Sequence, residues 1–222
     1  MTLPDKDTPT TRALRALAHG DASVRLRAAL AVGTDPGSPC VAPLIERCAI
    51  EPEFSVREML TWALTRHPSD ATLPGLLGEL RSPRAQARSQ ALHTLSKIGD
   101  RRAWPALTRA LLTDADDEVA RSAWRAAVVL VPEEEAAELA AALATQLGRG
   151  GRETQLSLSR ALIALGAAST PVVDAATHDR DPGRRRHALA TERLRRDPDA
   201  GFDCAIEEAK RIVALGTAGR EG

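Results

Sequence analysis

The chain has 222 residues, of which 43% are hydrophobic but only 2% are aromatic. With three Trp, two Phe and no Tyr, its apolar residues are chiefly Ala, Leu and Val, a composition that favours helices and argues against an all-β sandwich or barrel. Thirty Lys and Arg residues balance thirty Asp and Glu residues, so the overall charge gives no reason to expect a general binder of nucleic acid or of membrane surfaces.

The start of the sequence shows no targeting pattern. The first 30 residues do not combine a basic start, an apolar stretch and a small-residue cleavage site. Nowhere does a run approach the roughly 18 apolar residues that a membrane-spanning helix needs. We therefore expect a cytoplasmic protein without a membrane partner, in which residues 1–9 form a flexible N-terminus.

A repeated segment follows. Copies start at Val24, Val56, Ala87 and Val119, so the intervals between them are 32, 31 and 32 residues. Small or apolar residues recur at about four, seven, eight and eleven positions after each start, and these positions share one face of an α-helix. Two less regular copies start around Ser157 and Arg184. Each copy is therefore predicted to be an amphipathic helix.

A shorter apolar helix is predicted before each copy. These first helices cover residues 10–19, 38–49, 71–80, 101–112, 134–147 and 169–177. Gly, Pro and Asp residues separate the helices, and Gly33 and Gly99 suit the left-handed backbone that follows a helix end. A stack of helix pairs buries the apolar faces that one pair leaves exposed, so a repeat domain is predicted over residues 10–197.

Small residues mark the predicted close approaches between helices. We expect the side chains of Ala28, Ala91, Ala123 and Ala161 to be buried there. After the repeats, residues 198–216 place apolar side chains on one stripe and charged side chains opposite, so they are predicted to form a C-terminal capping helix. Residues 217–222 lack such a pattern and are expected to be a flexible tail.

The first copy resembles the second helix of a HEAT repeat. That helix carries the pattern Asp-x-x-Val-Arg-x-x-Ala-x-x-Ala-Leu-Gly, and residues 21–33 read Asp-Ala-Ser-Val-Arg-Leu-Arg-Ala-Ala-Leu-Ala-Val-Gly. The third copy ends in the Ile-Gly-Asp of the family, at residues 98–100. The chain is also similar to HEAT repeats of the bilin-lyase type, and to bacterial HEAT proteins associated with transcription regulators.

This resemblance implies an all-α fold: a right-handed α-solenoid of about six HEAT-like helix pairs plus the C-terminal capping helix. It also implies that Asp and Arg residues near the turn between the two helices bridge successive repeats. The residues in those positions are Asp21, Arg25, Arg57, Arg88 and either Asp116 or Asp117.

A candidate partner-binding site lies on the face of the second helices that points away from the core. Positions two and six after each start belong to this face, which is the concave surface of such a solenoid. The candidate residues are Glu58, Trp62, His93, Arg121 and Arg125. An aromatic side chain, a titratable group and two guanidiniums together are typical of binding hot spots. We predict that they hold a protein or peptide segment with an apolar side chain and a carboxylate; the alternative is that adjacent repeats or a terminal segment cover Trp62 and Leu30.

A second, basic patch is predicted near the end of the repeats. Residues 180–196 contain seven Arg residues against two acidic residues, and the patch consists of Arg184, Arg185, Arg186 and Arg193. Such a cluster contacts phosphate in some proteins, whereas a charged, solvated end of the stack is the alternative interpretation.

Patterns for catalysis, metals and cofactors are missing from the sequence. It contains none of the common nucleotide-binding, serine-hydrolase or zinc-protease motifs. The three Cys and five His residues have no metal-ligand spacing. We therefore predict a non-catalytic, regulatory scaffold without a cofactor or metal, with a transcription regulator as one candidate partner. The alternatives are a HEAT-like DNA-binding protein and an enzyme similar to the alkylpurine DNA glycosylases, both of which require a basic channel.

Overall fold

A computed structural model describes residues 8–36 and 40–218 of the chain. Within these ranges every regular element is an α-helix or a 3-10 helix, and no strand is found, as the composition predicts. Of the predicted flexible ends, residues 1–7 and 219–222 lie outside the described residues. Contacts between Cα atoms divide the chain into two compact units, unit 1 (Met1–Ala106) and unit 2 (Leu107–Gly222).

Unit 1 contains six α-helices arranged as three pairs. They are α1 (Pro9–Ala16), α2 (Ala22–Thr34), α3 (Val41–Cys48), α4 (Phe54–Thr65), α5 (Ser69–Glu79) and α6 (Ala85–Ile98). Each second helix packs on its own first helix, and α4 also contacts both α2 and α6. The core between them consists of aliphatic side chains such as Val56, Leu60 and Leu92, which are fully buried.

Unit 2 contains three further pairs and one final helix. Its helices are α7 (Arg109–Leu112), α8 (Asp117–Leu130), α9 (Ala136–Ala144), α10 (Arg152–Ala164), α11 (Thr170–Ala176), α12 (Pro182–Arg196) and α13 (Phe202–Ala218). The second helices α8, α10 and α12 again pack in succession. α13 packs along α12 through a buried cluster of Ala190, Leu194, Phe202, Ala205 and Ala209. A capping helix is thus present where the sequence predicts one.

The predicted first helix over residues 101–112 is wrong in detail. The chain forms a 3-10 helix at Arg101–Ala106, and only the four residues of α7 are α-helical. Pro105 explains the break, because it has no N–H to donate and it disfavours a helical conformation at Trp104.

The expected bridge between successive repeats is seen at Arg25, and the arginines of the repeat pattern also share a contact with the turn before their helix. Arg25, Arg57, Arg88 and Arg185 each lie four residues after a helix N-cap and donate to the carbonyl oxygen of the residue six positions earlier. Arg25 also reaches the next repeat, where it makes a buried, bidentate ion pair with Glu51 at 2.7 Å. Arg57 and Arg88 donate to backbone carbonyl oxygens in the turns of their own repeats, and these bonds stabilise the turns.

Aspartates contribute to the same turns. Asp21 accepts hydrogen bonds from the N–H groups of Ser23 and Val24, as a helix N-cap does. Asp117 bridges successive repeats of unit 2, because its carboxylate accepts from Arg149 at 3.0 Å and from Thr154 Oγ1 at 3.0 Å. Asp116 caps α8 instead.

The register of the fifth copy differs from the prediction by three residues. α10 begins after the N-cap Gly151, and the residue three positions beyond that cap, where Val24 and Val56 stand in earlier copies, is Thr154. Thr154 is buried, so the fifth copy starts there and not at Ser157. Because Thr154 is polar and bonds to Asp117, the fifth copy does not begin with an apolar residue, and the sequence pattern does not mark its start.

Two further local expectations have opposite outcomes. Gly99 has φ 70° and ends α6 in the left-handed conformation, as predicted. Gly33 does not, because α2 continues to Thr34 and keeps this glycine inside the helix. The four alanines predicted at close approaches, Ala28, Ala91, Ala123 and Ala161, are all buried.

Candidate functional site

The second helices of unit 1 share an exposed surface, here named the second-helix face. It is formed by Leu30 on α2, by Glu58 and Trp62 on α4, by Arg66 directly after α4, and by His93 on α6. Trp62 is 38% exposed, and Leu30 is 44% exposed. The neighbouring repeats, as far as the described residues show them, leave a substantial part of the indole accessible.

A glycine determines how Trp62 lies on this face. A Cβ atom built on Gly33 would come within 2.4 Å of Trp62 Cζ3 and within 2.9 Å of the Cα atom of Ala63. Any side chain at position 33 would collide with the indole and with the backbone of α4. Because Gly33 has no side chain, the ring can rest on the backbone of α2, and α2 and α4 lie close together. The indole is thereby packed against α2.

Glu58 and His93 form a polar pair beside Trp62. His93 Nε2 lies 3.1 Å from Glu58 Oε1, and the two side chains are 19% and 43% exposed. Glu58 lies one helical turn before Trp62 on α4, so the apolar and acidic groups are neighbours on one helix. The structure therefore brings together three of the five candidate residues.

The other two candidates belong to unit 2 and already have partners. Arg121 lies 3.5 Å from Glu118 and 3.8 Å from Glu153. Arg125 lies 3.4 Å from Glu118 and donates to Ser122 Oγ at 2.9 Å. Glu118 thus lies close to both guanidiniums, three and seven residues before them on α8.

Arg66 was missed in the sequence because it is neither at position two nor at position six of its copy. It is the residue after α4, four positions beyond Trp62, and its side chain is exposed. Within the described part of the chain its guanidinium makes no hydrogen bond or ion pair.

The basic patch of unit 2 is largely neutralised by acidic neighbours. Arg184 pairs with Asp179 at 2.8 Å, and Arg185 donates to the Asp179 carbonyl oxygen at 2.8 Å. Arg193 lies 3.4 Å from Asp197 and 3.3 Å from Glu208. Arg186 is partly buried on α12. Part of the predicted surface is also covered, because Ala190 on α12 packs beneath α13.

One buried carboxylate has a structural role in unit 1. Glu51 is fully buried and accepts hydrogen bonds from Arg25, Arg47 and the N–H of Glu53. Burial opposes its ionisation, but these bonds outweigh the burial and lower the pKa of Glu51 to about 2. The carboxylate therefore stays charged and joins α2 to the α3–α4 turn.

The cysteines offer no activated nucleophile. Cys40 and Cys48 are buried, and Cys204 is exposed. Burial raises the pKa of the Cys48 thiol to about 12, so this thiol stays protonated at neutral pH. Among the described residues no group of three or more His, Cys, Asp or Glu side chains is placed to hold a metal ion.

Among the helices that the structure describes, no single one has both the length and the apolar character to cross a bilayer. The helices Arg152–Ala164 and Gly166–Ala176, which meet at 119°, are long and apolar enough to do so only when taken together as a bent pair, by length and composition alone.

Comparison with known proteins identifies the repeats. Residues 41–128 match the family model of HEAT repeats. No curated protein matches the chain. Solved structures are also similar to it. One is the complex of CpcE and CpcF of phycocyanin lyase from Nostoc sp. PCC7120, with 21% identity, 86% of this chain and 79% of that chain covered, and a TM-score of 0.48.

The second similar structure is the karyopherin Kap121p bound to the extreme C-terminus of the protein phosphatase Cdc14p. It is 19% identical, the match covers 93% of this chain and 25% of the karyopherin, and the TM-score is 0.62. The chain thus spans about a quarter of the karyopherin's length. At this identity the likeness shows the fold alone, and it confirms the predicted class, an all-α solenoid.

Proposed function

We propose that this chain, whose residues 41–128 match the family model of HEAT repeats, is a non-catalytic cytoplasmic scaffold that binds a protein or peptide segment on the exposed face of its second helices. Helical-repeat proteins commonly use such extended surfaces for binding. The karyopherin that resembles this chain was solved with a segment of another protein bound, which supports the choice of a protein partner.

The observation that carries the proposal is the placement of Trp62. A tryptophan that is 38% exposed leaves a large apolar surface in water, and tryptophan is enriched among the residues that dominate binding energy. Gly33 holds the indole against α2, so little side-chain freedom remains to be lost when a partner covers it. Leu30 extends the apolar surface, and Glu58 with His93 supplies polar groups at its edge.

In unit 2 the proposal includes Arg121 and Arg125 as secondary anion-binding groups. Their side chains are 24% and 43% exposed. A carboxylate of the partner would compete with Glu118 for these guanidiniums, so their contribution is expected to be smaller than that of Trp62. Arg125→Glu would add repulsion between position 125 and Glu118 and should weaken capture of an acidic partner.

The test is capture from native lysate followed by mass spectrometry, using the full chain and two variants. Trp62→Ala removes the proposed anchor, whereas Phe54→Ala removes an aromatic side chain that is 67% exposed at the start of the same helix. We expect a protein that the wild type and Phe54→Ala retain and Trp62→Ala loses. The purified partner should then bind Trp62→Ala at least tenfold more weakly.

Circular dichroism supplies the control for folding. Both variants should remain helical, but Trp62→Ala should melt at a lower temperature than Phe54→Ala, because part of the indole packs on Gly33. If no protein distinguishes Trp62→Ala from Phe54→Ala while both remain folded, the second-helix face is not the binding surface and the proposal is wrong.

A further inference from the structure

We propose that Arg66 is the anion-binding residue of the second-helix face, and that the bound segment carries an Asp or Glu close to the apolar residue that covers Trp62. This inference rests on the proposed function and deepens it by naming the chemistry of the partner. It also assigns the carboxylate to a residue of unit 1, in place of Arg121 and Arg125.

The position of Arg66 suits this role. It follows α4 directly, four residues after Trp62, which corresponds to a rise of about 6 Å along a helix. Side chains four positions apart lie on the same side of a helix, so the guanidinium and the indole border the same part of the surface. A ligand that covers Trp62 therefore meets Arg66 within one helical turn.

The guanidinium of Arg66 is available, unlike those of Arg25, Arg57 and Arg88. Arg25 is bound by Glu51, and Arg57 and Arg88 donate to backbone carbonyl oxygens. Arg66 is exposed and makes no such bond within the described residues. An unpaired guanidinium keeps all its donors for a carboxylate, which it can hold in a bidentate geometry.

The other charges of the face favour an anionic partner. Arg27 is exposed on α2, three residues before Leu30. Lys97 is exposed on α6, four residues after His93. The carboxylate of Glu58 lies on the opposite side of Trp62 from Arg66 and has His93 at 3.1 Å. The cation next to the indole along α4, on the side away from Glu58, is Arg66.

Spacing on α4 defines the expected motif. An extended chain advances about 3.3 Å per residue, so a rise of about 6 Å corresponds to two residues. The partner segment should therefore read apolar-x-Asp or apolar-x-Glu, with the apolar side chain over Trp62 and the carboxylate at Arg66.

An ordinary explanation of Arg66 makes a different prediction. A cation at a helix C-terminus is favoured by the helix dipole, whatever the protein binds. In that case replacing Arg66 would change stability slightly and would leave binding intact. The experiment must therefore measure binding and folding separately.

The probe is a displayed library of random nine-residue peptides, selected on the full wild-type chain after depletion on Trp62→Ala. We expect the surviving peptides to be enriched in Asp or Glu two residues after a large apolar residue. Arg66→Gln should lower the affinity of such a peptide at least tenfold. Arg81→Gln removes an exposed arginine just after α5 and should leave the affinity unchanged.

A second measurement tests the pairing itself. Replacing the peptide's carboxylate with an amide should cost at least tenfold on the wild type and little on Arg66→Gln, because the interaction has already been removed there. Equal losses on both proteins would overturn the assignment of Arg66. The wild type and Arg66→Gln should have the same helicity.

The outcomes separate this inference from the proposed function. Peptides that depend on Trp62 but lack acidic residues, or that bind Arg66→Gln as well as the wild type, would overturn the role of Arg66 and leave the scaffold proposal standing. A library that yields no peptide dependent on Trp62 would count against both. Self-association of the chain that is lost in Trp62→Ala would instead identify a second copy as the occupant and overturn the proposed motif.

Discussion

Gly33 illustrates how a missing side chain positions a functional one. Glycine inside a helix costs about 1 kcal/mol relative to alanine, yet α2 contains it at a buried position. The space that a Cβ would need is occupied by the indole of Trp62 and the backbone of α4. The helix therefore loses intrinsic stability at Gly33, and the packing of α2 on α4 offsets that loss.

We predict that Gly33→Ala destabilises the protein by about 1–3 kcal/mol, because overpacking outweighs the gain in helix propensity. Gly78→Ala is the matched control, since Gly78 also lies in a helix but has no atom within 4 Å of its built Cβ. This second substitution should stabilise by about 0.5–1 kcal/mol. Urea unfolding measures both, and a stabilising effect of Gly33→Ala would contradict the packing described here.

His187 is the buried titratable residue of unit 2. Its Nδ1 accepts a hydrogen bond from the N–H of Gly148 at 3.0 Å, and its Nε2 lies 2.9 Å from the Gln155 carbonyl oxygen and 3.1 Å from Ser159 Oγ. The ring is therefore neutral, with its proton on Nε2. Burial lowers the pKa of His187 to about 4, because charging the ring would leave it poorly solvated.

This shift predicts a loss of stability in mild acid. The unfolded chain takes up a proton on His187 below about pH 6.5, whereas the folded chain resists it until about pH 4. Stability should therefore fall by about 1.4 kcal/mol for each pH unit below 6.5, which is about 2 kcal/mol at pH 5. Above pH 6.5 both states hold a neutral ring, so no dependence is expected.

The measurement is urea unfolding between pH 7.5 and pH 5, with His187→Gln as the comparison. The variant should be less stable at pH 7.5, since it loses the fitted ring, but its stability should change less with pH. Glu51 does not interfere in this window, because its pKa is about 2. Identical slopes for the two proteins would show that His187 is not the group responsible.

At the scale of helices, small residues determine how closely the pairs pack. Ala91 on α6 and Ala123 on α8 are buried at positions where the repeat pattern places a small residue. Helices that meet over alanine come close together, and a longer side chain has no space there. The recurrence of alanine at this position is therefore a packing requirement.

We predict that Ala91→Leu and Ala123→Leu each lower the free energy of unfolding by about 1–3 kcal/mol through overpacking. Ala137→Leu, at an exposed position of α9, is the control and should change stability by less than about 0.5 kcal/mol. Thermal melting followed by circular dichroism measures all three. Unchanged melting of both buried variants would mean that the register assigned to these helices is wrong.

The helix pairs could be predicted because the packing requirement recurs every 32 residues or so in the sequence. The prediction failed where a buried position holds an atypical residue. Thr154 starts the fifth copy as a polar side chain bonded to Asp117, and Pro105 breaks a helix that periodicity alone extends. In both cases local chemistry overrides the pattern, so periodicity could not reveal the local structure.

The candidate site could be predicted only in part. Helical geometry was sufficient to place Trp62 on the surface and beside Glu58, because both follow from positions on one helix. The compensation of Arg125 by Glu118 and the contact of Trp62 with Gly33 depend on rotamers and on packing between helices. These depend on the three-dimensional arrangement of side chains, which the repeat pattern does not specify.

At the scale of the whole molecule, balanced charge limits the possible partners. The sequence concentrates positive charge between residues 180 and 196, with an excess of five. The structure surrounds this segment with acidic partners from outside it, namely Asp174, Asp179, Asp197 and Glu208. These four carboxylates reduce the local excess to one positive charge, so few guanidiniums remain for phosphate.

We therefore predict that the chain forms no complex with a 20-base-pair DNA duplex at about 10 µM protein and 50 mM salt in a gel-shift assay. A protein with six or more phosphate contacts gains about 10³-fold or more in affinity between 200 and 50 mM salt, so low salt is the most sensitive condition. The double variant Asp179→Asn with Glu208→Gln unmasks Arg184 and Arg193 and should bind more tightly than the wild type. If the wild type instead binds with submicromolar affinity that weakens steeply with salt, the chain is a DNA-binding protein. Its phosphate contacts would then have to come from arginines that the structure pairs with carboxylates.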